Sequence, residues 1–135
     1  MEMKTINCRK ISKGGATAEA LVSSEPISFF GGVDPESGAV IEKGHPLEGK
    51  SIAGKILVFP RGKGSTVGSY TLYRLKKNGK APAAIINSEC ETIVAVGAII
   101  SEIPAVDRLE GNAFSRLASG SAITVDATNR KVIIN

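Results

Sequence analysis

The residues best placed to do chemistry are gathered in Val58-Phe59-Pro60-Arg61-Gly62-Lys63-Gly64-Ser65-Thr66-Val67-Gly68-Ser69, where hydroxyls and cations stand among glycines. Ile56 to Phe59 is a short apolar run with β-branched members, and Pro60 has no backbone donor, so a strand should stop there. From about Ser65 the pattern predicts a helix to Asn78, with Ser65 or Thr66 capping its free amides and Gly79 supplying a left-handed stop. A strand, turn and helix joined in this way aim several N–H groups and the positive end of the helix dipole at one spot. Anions and developing oxyanions bind at such spots.

Other chemistries fit less well. The dinucleotide fingerprint needs its third glycine where Val67 stands, and a phosphate-binding P-loop needs Gly-Lys-Ser/Thr, whereas Lys63 is followed by Gly64. His45 is the only histidine, and its place before Pro46 suits an extended or turn backbone and a structural role. A Ser-His-Asp hydrolase would have to recruit His45 to Ser65 with Asp34 or Asp107, and no spacing supports that. Cys90 lies among acids in Asn87-Ser88-Glu89-Cys90-Glu91, which raise a thiol pKa and argue against a thiolate nucleophile. Cys8 and Cys90 are too few and too far apart for a zinc site, and an iron–sulfur cluster takes about four thiolates. No metal or cofactor is therefore expected on this chain.

The elements around this turn follow from the apolar pattern. Lys4 to Ser12 reads as a first strand ending in Lys13-Gly14-Gly15, and Ala16 to Ser23 as a second. Ile27 to Phe30 passes from an apolar strand into the turn-rich loop Gly31-Gly32-Val33-Asp34-Pro35-Glu36-Ser37-Gly38. A short strand at Ala39-Val40-Ile41 and a turn at His45-Pro46-Leu47-Glu48-Gly49 come before Ile56. In the Ser65 helix, Leu72 and Leu75 share a face with Val67, and Lys76 and Lys77 suit its C-terminal end. Ala83 to Ile86 then makes the unit strand, helix, strand, which resembles a right-handed parallel crossover. Apolar runs at Val94 to Ile100 and Ile103 to Val106, a short helix around Asn112 to Ser119, and a hairpin from Ala122 to Ile134 complete the chain.

At 135 residues the chain has the size of one domain, 1–135, and 42% apolar with 22% charged residues suits a folded globular protein. Trp is absent and aromatics are only 4%, so the core rests on Ile, Val, Ala and Leu. The net charge of +4 is scattered, with Arg9-Lys10, Lys76-Lys77 and Arg130-Lys131 the only adjacent pairs, so a nucleic-acid stripe is missing. The N-terminal residues lack an apolar signal core, and nothing approaches the roughly 20 apolar residues of a membrane span. A cytoplasmic protein with reduced thiols, binding neither nucleic acid nor membrane, is expected.

Four segments in register carry a resemblance. Gly31-Gly32-Val33-Asp34-Pro35-Glu36-Ser37-Gly38, His45-Pro46-Leu47-Glu48-Gly49, Phe59-Pro60-Arg61-Gly62-Lys63-Gly64-Ser65 and Ala81-Pro82-Ala83-Ala84-Ile85-Ile86-Asn87 together resemble the small subunit of the aconitase X family. The resemblance implies an α/β swivelling fold of the β/β/α type, as in the aconitase swivel domain, with mixed sheets and short helices. It also implies a large catalytic subunit that carries an iron–sulfur cluster and closes the active site against this chain, as a heterodimer or higher assembly.

Aconitases contribute a serine from a Gly-x-Gly-Ser turn as base or proton acceptor, and that position maps onto Ser65. The family's next residues are Ser-Arg-Glu, with the arginine gripping a substrate carboxylate. Here Val67 stands in its place. Substrate recognition must therefore come from elsewhere, and Arg61, Lys63, Gly64 and Thr66 are the residues at hand. The implied reaction is loss of water from a phosphorylated 3-hydroxy acid: (R)-5-phosphomevalonate going to trans-anhydromevalonate 5-phosphate in archaeal isoprenoid biosynthesis. Alternatives are a dehydratase of another hydroxy acid or of 3-hydroxyproline, and a noncatalytic swivelling module that binds or regulates. A phosphohistidine carrier would need a histidine where Ser65 stands.

Overall fold

A computed structural model describes residues 3–135. Eight strands, β1 (Lys4–Asn7), β2 (Arg9–Ser12), β3 (Gly15–Val22), β4 (Ile56–Phe59), β5 (Ala84–Asn87), β6 (Ala105–Asp107), β7 (Ala122–Asp126) and β8 (Lys131–Ile134), form one mixed sheet in the order β1-β8-β7-β3-β4-β5-β6-β2. The two edge strands are consecutive in sequence, separated only by Cys8, so the sheet curls until its edges meet. The expected single strand from Lys4 to Ser12 is thus broken at Cys8. Its first half pairs with β8 and its second half with β6.

Strands β3, β4, β5 and β6 run parallel, and β7 and β8 form the antiparallel C-terminal hairpin. The crossovers are α2 (Gly68–Lys77), between β4 and β5, and α3 (Thr92–Ile100), between β5 and β6; α1 (Phe29–Gly32) is a single irregular turn. Alternation along the buried strands divides the apolar residues into two layers. Leu57, Phe59 and Ile85 face Leu72, Leu75 and Val94 of the helices. Ile56, Val58 and Ile86 face Ile123, Val125 and Val132 inside the curled sheet. This is the α/β, β/β/α arrangement that the resemblance implied.

Helix α2 buries Gly68, Thr71, Leu72 and Leu75, a stripe at helical spacing, and ends at Gly79 with φ +71°. It packs closely on α3: a Cβ at Gly97 would lie 3.1 Å from Ser69 Cα as well as 2.6 Å from Leu72 Cδ1, so a larger residue would press on the α2 backbone. The Ser69 hydroxyl ties their first turns by donating to the Ile93 carbonyl at 2.7 Å.

Several local expectations are corrected. The helix begins at Gly68 rather than Ser65, and Val67 is 46% exposed instead of sharing the Leu72 face. Ile27 makes one parallel bridge to Gly62 before the chain turns into α1, and Ala39 and Val40 make only isolated bridges. Around Asn112 to Ser119 only Phe114–Arg116 is helical, as one 3-10 turn. In each case the segment is too short or too glycine-rich to propagate a regular element, and loop-to-loop hydrogen bonds satisfy its backbone.

Candidate active site

The parallel strands deliver their connections to one edge of the sheet, the usual place for a site in α/β folds. Three meet there: residues 23–32 after β3, 60–67 after β4 and 88–91 after β5. The Ile27 N–H donates to the Arg61 carbonyl at 3.2 Å, and the Lys63 N–H donates to the Ile27 carbonyl at 3.0 Å. The N–H groups of Ser88 and Glu89 both donate to the Pro60 carbonyl, and the buried Asn87 side chain donates to the Phe59 carbonyl at 3.0 Å.

Glycines make these approaches possible. A Cβ at Gly62 would lie 2.6 Å from both Glu91 Oε1 and Val94 Cγ2. Gly64 has φ +90°, and a Cβ there would lie 2.6 Å from Ser28 Oγ. Glu91 in turn caps α3, its carboxylate accepting from the N–H groups of Ile93 and Val94 at 2.8 and 3.0 Å.

Ser65 is exposed at the tip of this clamped turn. Its Oγ accepts the Val67 N–H at 3.1 Å, and its carbonyl accepts the Gly68 N–H at 2.9 Å. The expected capping of the helix by Ser65 or Thr66 is not made: Val67 is the N-cap and no side chain caps the helix. The helix starts three residues later than expected, so Ser65 Oγ reaches only the Val67 N–H ahead of it, while Thr66 contributes its carbonyl, to the Ser69 N–H. Among the described residues the N–H groups of Gly64, Ser65 and Thr66 have no acceptor. Free amides at a turn leading into a ten-residue helix are donors open to an anion.

The other expected residues fall around this point. Arg61, Lys63, Gly64 and Thr66 are all exposed, as residues of one turn. Lys63 Nζ pairs with Glu42 Oε2 at 3.0 Å, whereas the Arg61 guanidinium makes no ion pair among the described residues. Phe30 and Val67, 54% and 46% exposed, flank the turn as apolar side chains. A cavity of about 560 Å³ along the outer face of α2 is lined by Tyr70, Tyr73 and Arg74 and by none of the turn residues.

Residues that a triad would need are occupied elsewhere. His45 is buried: its Nδ1 accepts the Leu47 N–H at 3.0 Å, which leaves Nε2 to donate to the Pro26 carbonyl at 3.0 Å. Asp34 accepts from the Glu36 N–H and the Ser37 hydroxyl, and these bonds hold its carboxyl below the usual range. Asp107 is fully buried under Arg9, which reaches it through Nε and Nη2 at 2.8 and 2.7 Å.

Folding raises the pKa of both thiols. Burial, then the Asp107 charge, pushes Cys8 up to about 11; burial, then Asp107 and Glu91, pushes Cys90 up to about 12. Burial is thus the leading cause at Cys90, ahead of the neighbouring acids. Among the described residues no three His, Cys, Asp or Glu side chains gather as metal ligands.

Ser28, Glu42 and Glu91 are the site residues that the sequence did not disclose. The one signal for Ser28 and Glu91 is the pair of glycines at 62 and 64, which demand close neighbours without saying which; Glu42 reaches the turn only through Lys63.

Residues 5–134 match the family model described as the aconitase X swivel domain. The chain is 61% identical over 120 residues to the phosphomevalonate dehydratase small subunit of Methanosarcina acetivorans, covering 89% of this chain and 83% of that one. It is 59% identical over 126 residues to the protein of the same name from Thermococcus kodakarensis, covering 93% and 92%. A crystal structure of Thermococcus kodakaraensis aconitase X in its holo-form superposes with a TM-score of 0.93 at 56% identity, covering 98% of each chain. The solution NMR structure of a UPF0107 protein gives 0.87 at 50% identity, covering 96% and 97%.

Proposed function

Because the chain belongs to the aconitase X swivel domain family, we propose that it acts as the small subunit of a two-subunit hydro-lyase that dehydrates (R)-5-phosphomevalonate to trans-anhydromevalonate 5-phosphate. The observation that carries this reading is the exposed Ser65 hydroxyl on a clamped glycine turn, next to free amides, in a chain about 60% identical to phosphomevalonate dehydratase small subunits. It works as one swivelling domain beside a large subunit, and the product belongs to archaeal isoprenoid synthesis.

The chemistry assigned to this chain is proton removal. Ser65 takes the proton from the carbon next to the substrate carboxylate, and the hydroxyl on the following carbon departs, leaving a 2-enoate. A serine hydroxyl is a weak base, so its alkoxide must be stabilised. The Val67 N–H already points at Oγ, and the positive end of α2 adds to it. The exposed position of Ser65 means that water is excluded only when a partner covers the turn, and Phe30 and Val67 supply apolar surface for that contact. An iron–sulfur cluster in the large subunit would supply Lewis acidity for the departing hydroxyl.

Arg61, Gly64 and Thr66 face the substrate anion, the last two through their amides, and Lys63 belongs to the same wall. The test is anaerobic co-purification with the large subunit and a dehydration assay on 5-phosphomevalonate. A wild-type complex that turns over and a Ser65→Ala complex that assembles but does not supports the reading. Full activity in the variant removes Ser65 from the chemistry, and an inactive wild-type complex points to another hydroxy acid.

A further inference from the structure

The Lys63–Glu42 pair joins two loops that are distant in sequence and meet beside Ser65. Glu42 is itself fixed: the Ile41 N–H donates to the Gly32 carbonyl at 2.9 Å, and the His45 N–H donates to the Glu42 carbonyl at 3.3 Å. Glu42 Oε1 also lies close over Gly32, where a Cβ would stand 3.4 Å away. The Ser65 turn is therefore held from four directions: by the Ile27 backbone, by Gly62 against Glu91 and Val94, by the fit of Gly64 against Ser28, and by this ion pair. Of these contacts, the ion pair is the one that joins opposite side-chain charges.

We infer that Glu42 is a positioning residue that acts through Lys63, the pair serving as a strut for the Ser65 turn, and that Arg61 rather than Lys63 is the cation offered to the substrate anion. This inference rests on the role proposed for Ser65. With its ammonium 3.0 Å from a carboxylate, Lys63 presents little net charge to an anion, whereas Arg61 has no such partner among the described residues. A half-exposed ion pair contributes little to global stability. Small displacements of a reacting group, by contrast, cost rate steeply.

The experiment uses the complex with its large subunit and measures kcat and KM for 5-phosphomevalonate. A strut predicts that Lys63→Met and Glu42→Gln each lower kcat by about fivefold to tenfold with KM little changed. The exchanged pair, Lys63→Glu with Glu42→Lys, recovers most of that loss, and Arg61→Met raises KM. A tenfold rise in KM for Lys63→Met, or an exchanged pair worse than either single variant, makes Lys63 a substrate ligand and overturns the inference; unchanged kinetics in both single variants overturns it as well.

A second readout does not need turnover. In the full chain, amide hydrogen exchange at Lys63 and Val67 should quicken in Glu42→Gln and return in the exchanged pair, and unchanged exchange counts against a strut. Ser65→Ala, assayed alongside, separates the two ideas. An inactive Ser65→Ala complex with no recovery in the exchanged pair rejects only the strut, whereas a fully active one rejects the role of Ser65.

Discussion

Ser65 Oγ accepts the backbone N–H of Val67 at 3.1 Å, so the hydroxyl we propose for proton transfer also satisfies an amide ahead of α2. On that proposal one atom has two separable duties. The hydrogen bond lowers the energy of negative charge on that oxygen and at the same time shapes the turn.

Substitution can divide those duties. Ser65→Ala removes both, and should lower kcat by on the order of 10²–10⁴ while costing about 0.5–1 kcal/mol of stability. Ser65→Asp retains an acceptor for the Val67 N–H without the hydroxyl. It should regain the stability and none of the turnover, as read from urea unfolding of the chain and kcat of the complex. Equal turnover in Ser65→Asp and wild type would show that a carboxylate at this position can take the proton in place of the hydroxyl.

Gly64→Ala tests the clamp from the other side. At φ +90° an alanine is strained by about 1–2 kcal/mol, and its Cβ would meet Ser28 Oγ at 2.6 Å. Stability should fall, and kcat by tenfold or more as the turn shifts. Adding Ser28→Ala removes the clashing oxygen but not the φ strain, so the double variant should recover only part of both losses. Recovery to wild-type values would mean that the left-handed backbone at Gly64 is unimportant.

How much of this was legible in the sequence depends on the range of the forces involved. Strands β4 and β5, helix α2 and the final hairpin were visible because apolar periodicity and turn residues encode them locally. The break at Cys8 was not, because Lys4 to Ser12 reads as one extended run. Only the meeting of β8 with one half and β6 with the other divides it. Ser65 could be singled out from its glycines and from the family resemblance. Ser28, Glu42 and Glu91 reach the turn through tertiary contacts, and ordinary serines and glutamates carry no local mark of that.

The buried Asp107 carboxylate anchors the far side of the site. It accepts from Arg9 Nε and Nη2 and from the Cys90 N–H at 2.7 Å, one residue before the Glu91 cap that packs on Gly62. Arg9→Met would leave a buried charge with one remaining donor, and should cost about 1–3 kcal/mol, discounted because Arg9 is partly exposed. Arg9→Met combined with Asp107→Asn should cost less than Arg9→Met alone, since the uncompensated charge is gone. Thermal unfolding of the three proteins decides the order, and a costlier double variant would mean that the carboxylate serves Cys90 more than it serves Arg9.

The thiols give a pH dependence with a definite sign. Folding pushes Cys90 from its ordinary value of 9.0 up to about 12, mainly by burial, and Cys8 up to about 11. Their folded pKa values are raised, so between pH 9 and 11 the unfolded chain loses thiol protons that the folded chain keeps. Stability contributed by these groups is complete below pH 9 and declines as pH rises through that window. Lysines and tyrosines titrate there too, so the informative quantity is the difference between wild type and Cys90→Ala. The urea midpoint of the variant should fall less steeply from pH 8.5 to 10.5 than that of wild type, and alkylation of native Cys90 at pH 8 should be slow compared with the unfolded chain. Parallel midpoint curves with rapid native alkylation would mean that the Cys90 thiol opens to solvent and ionises in the folded protein.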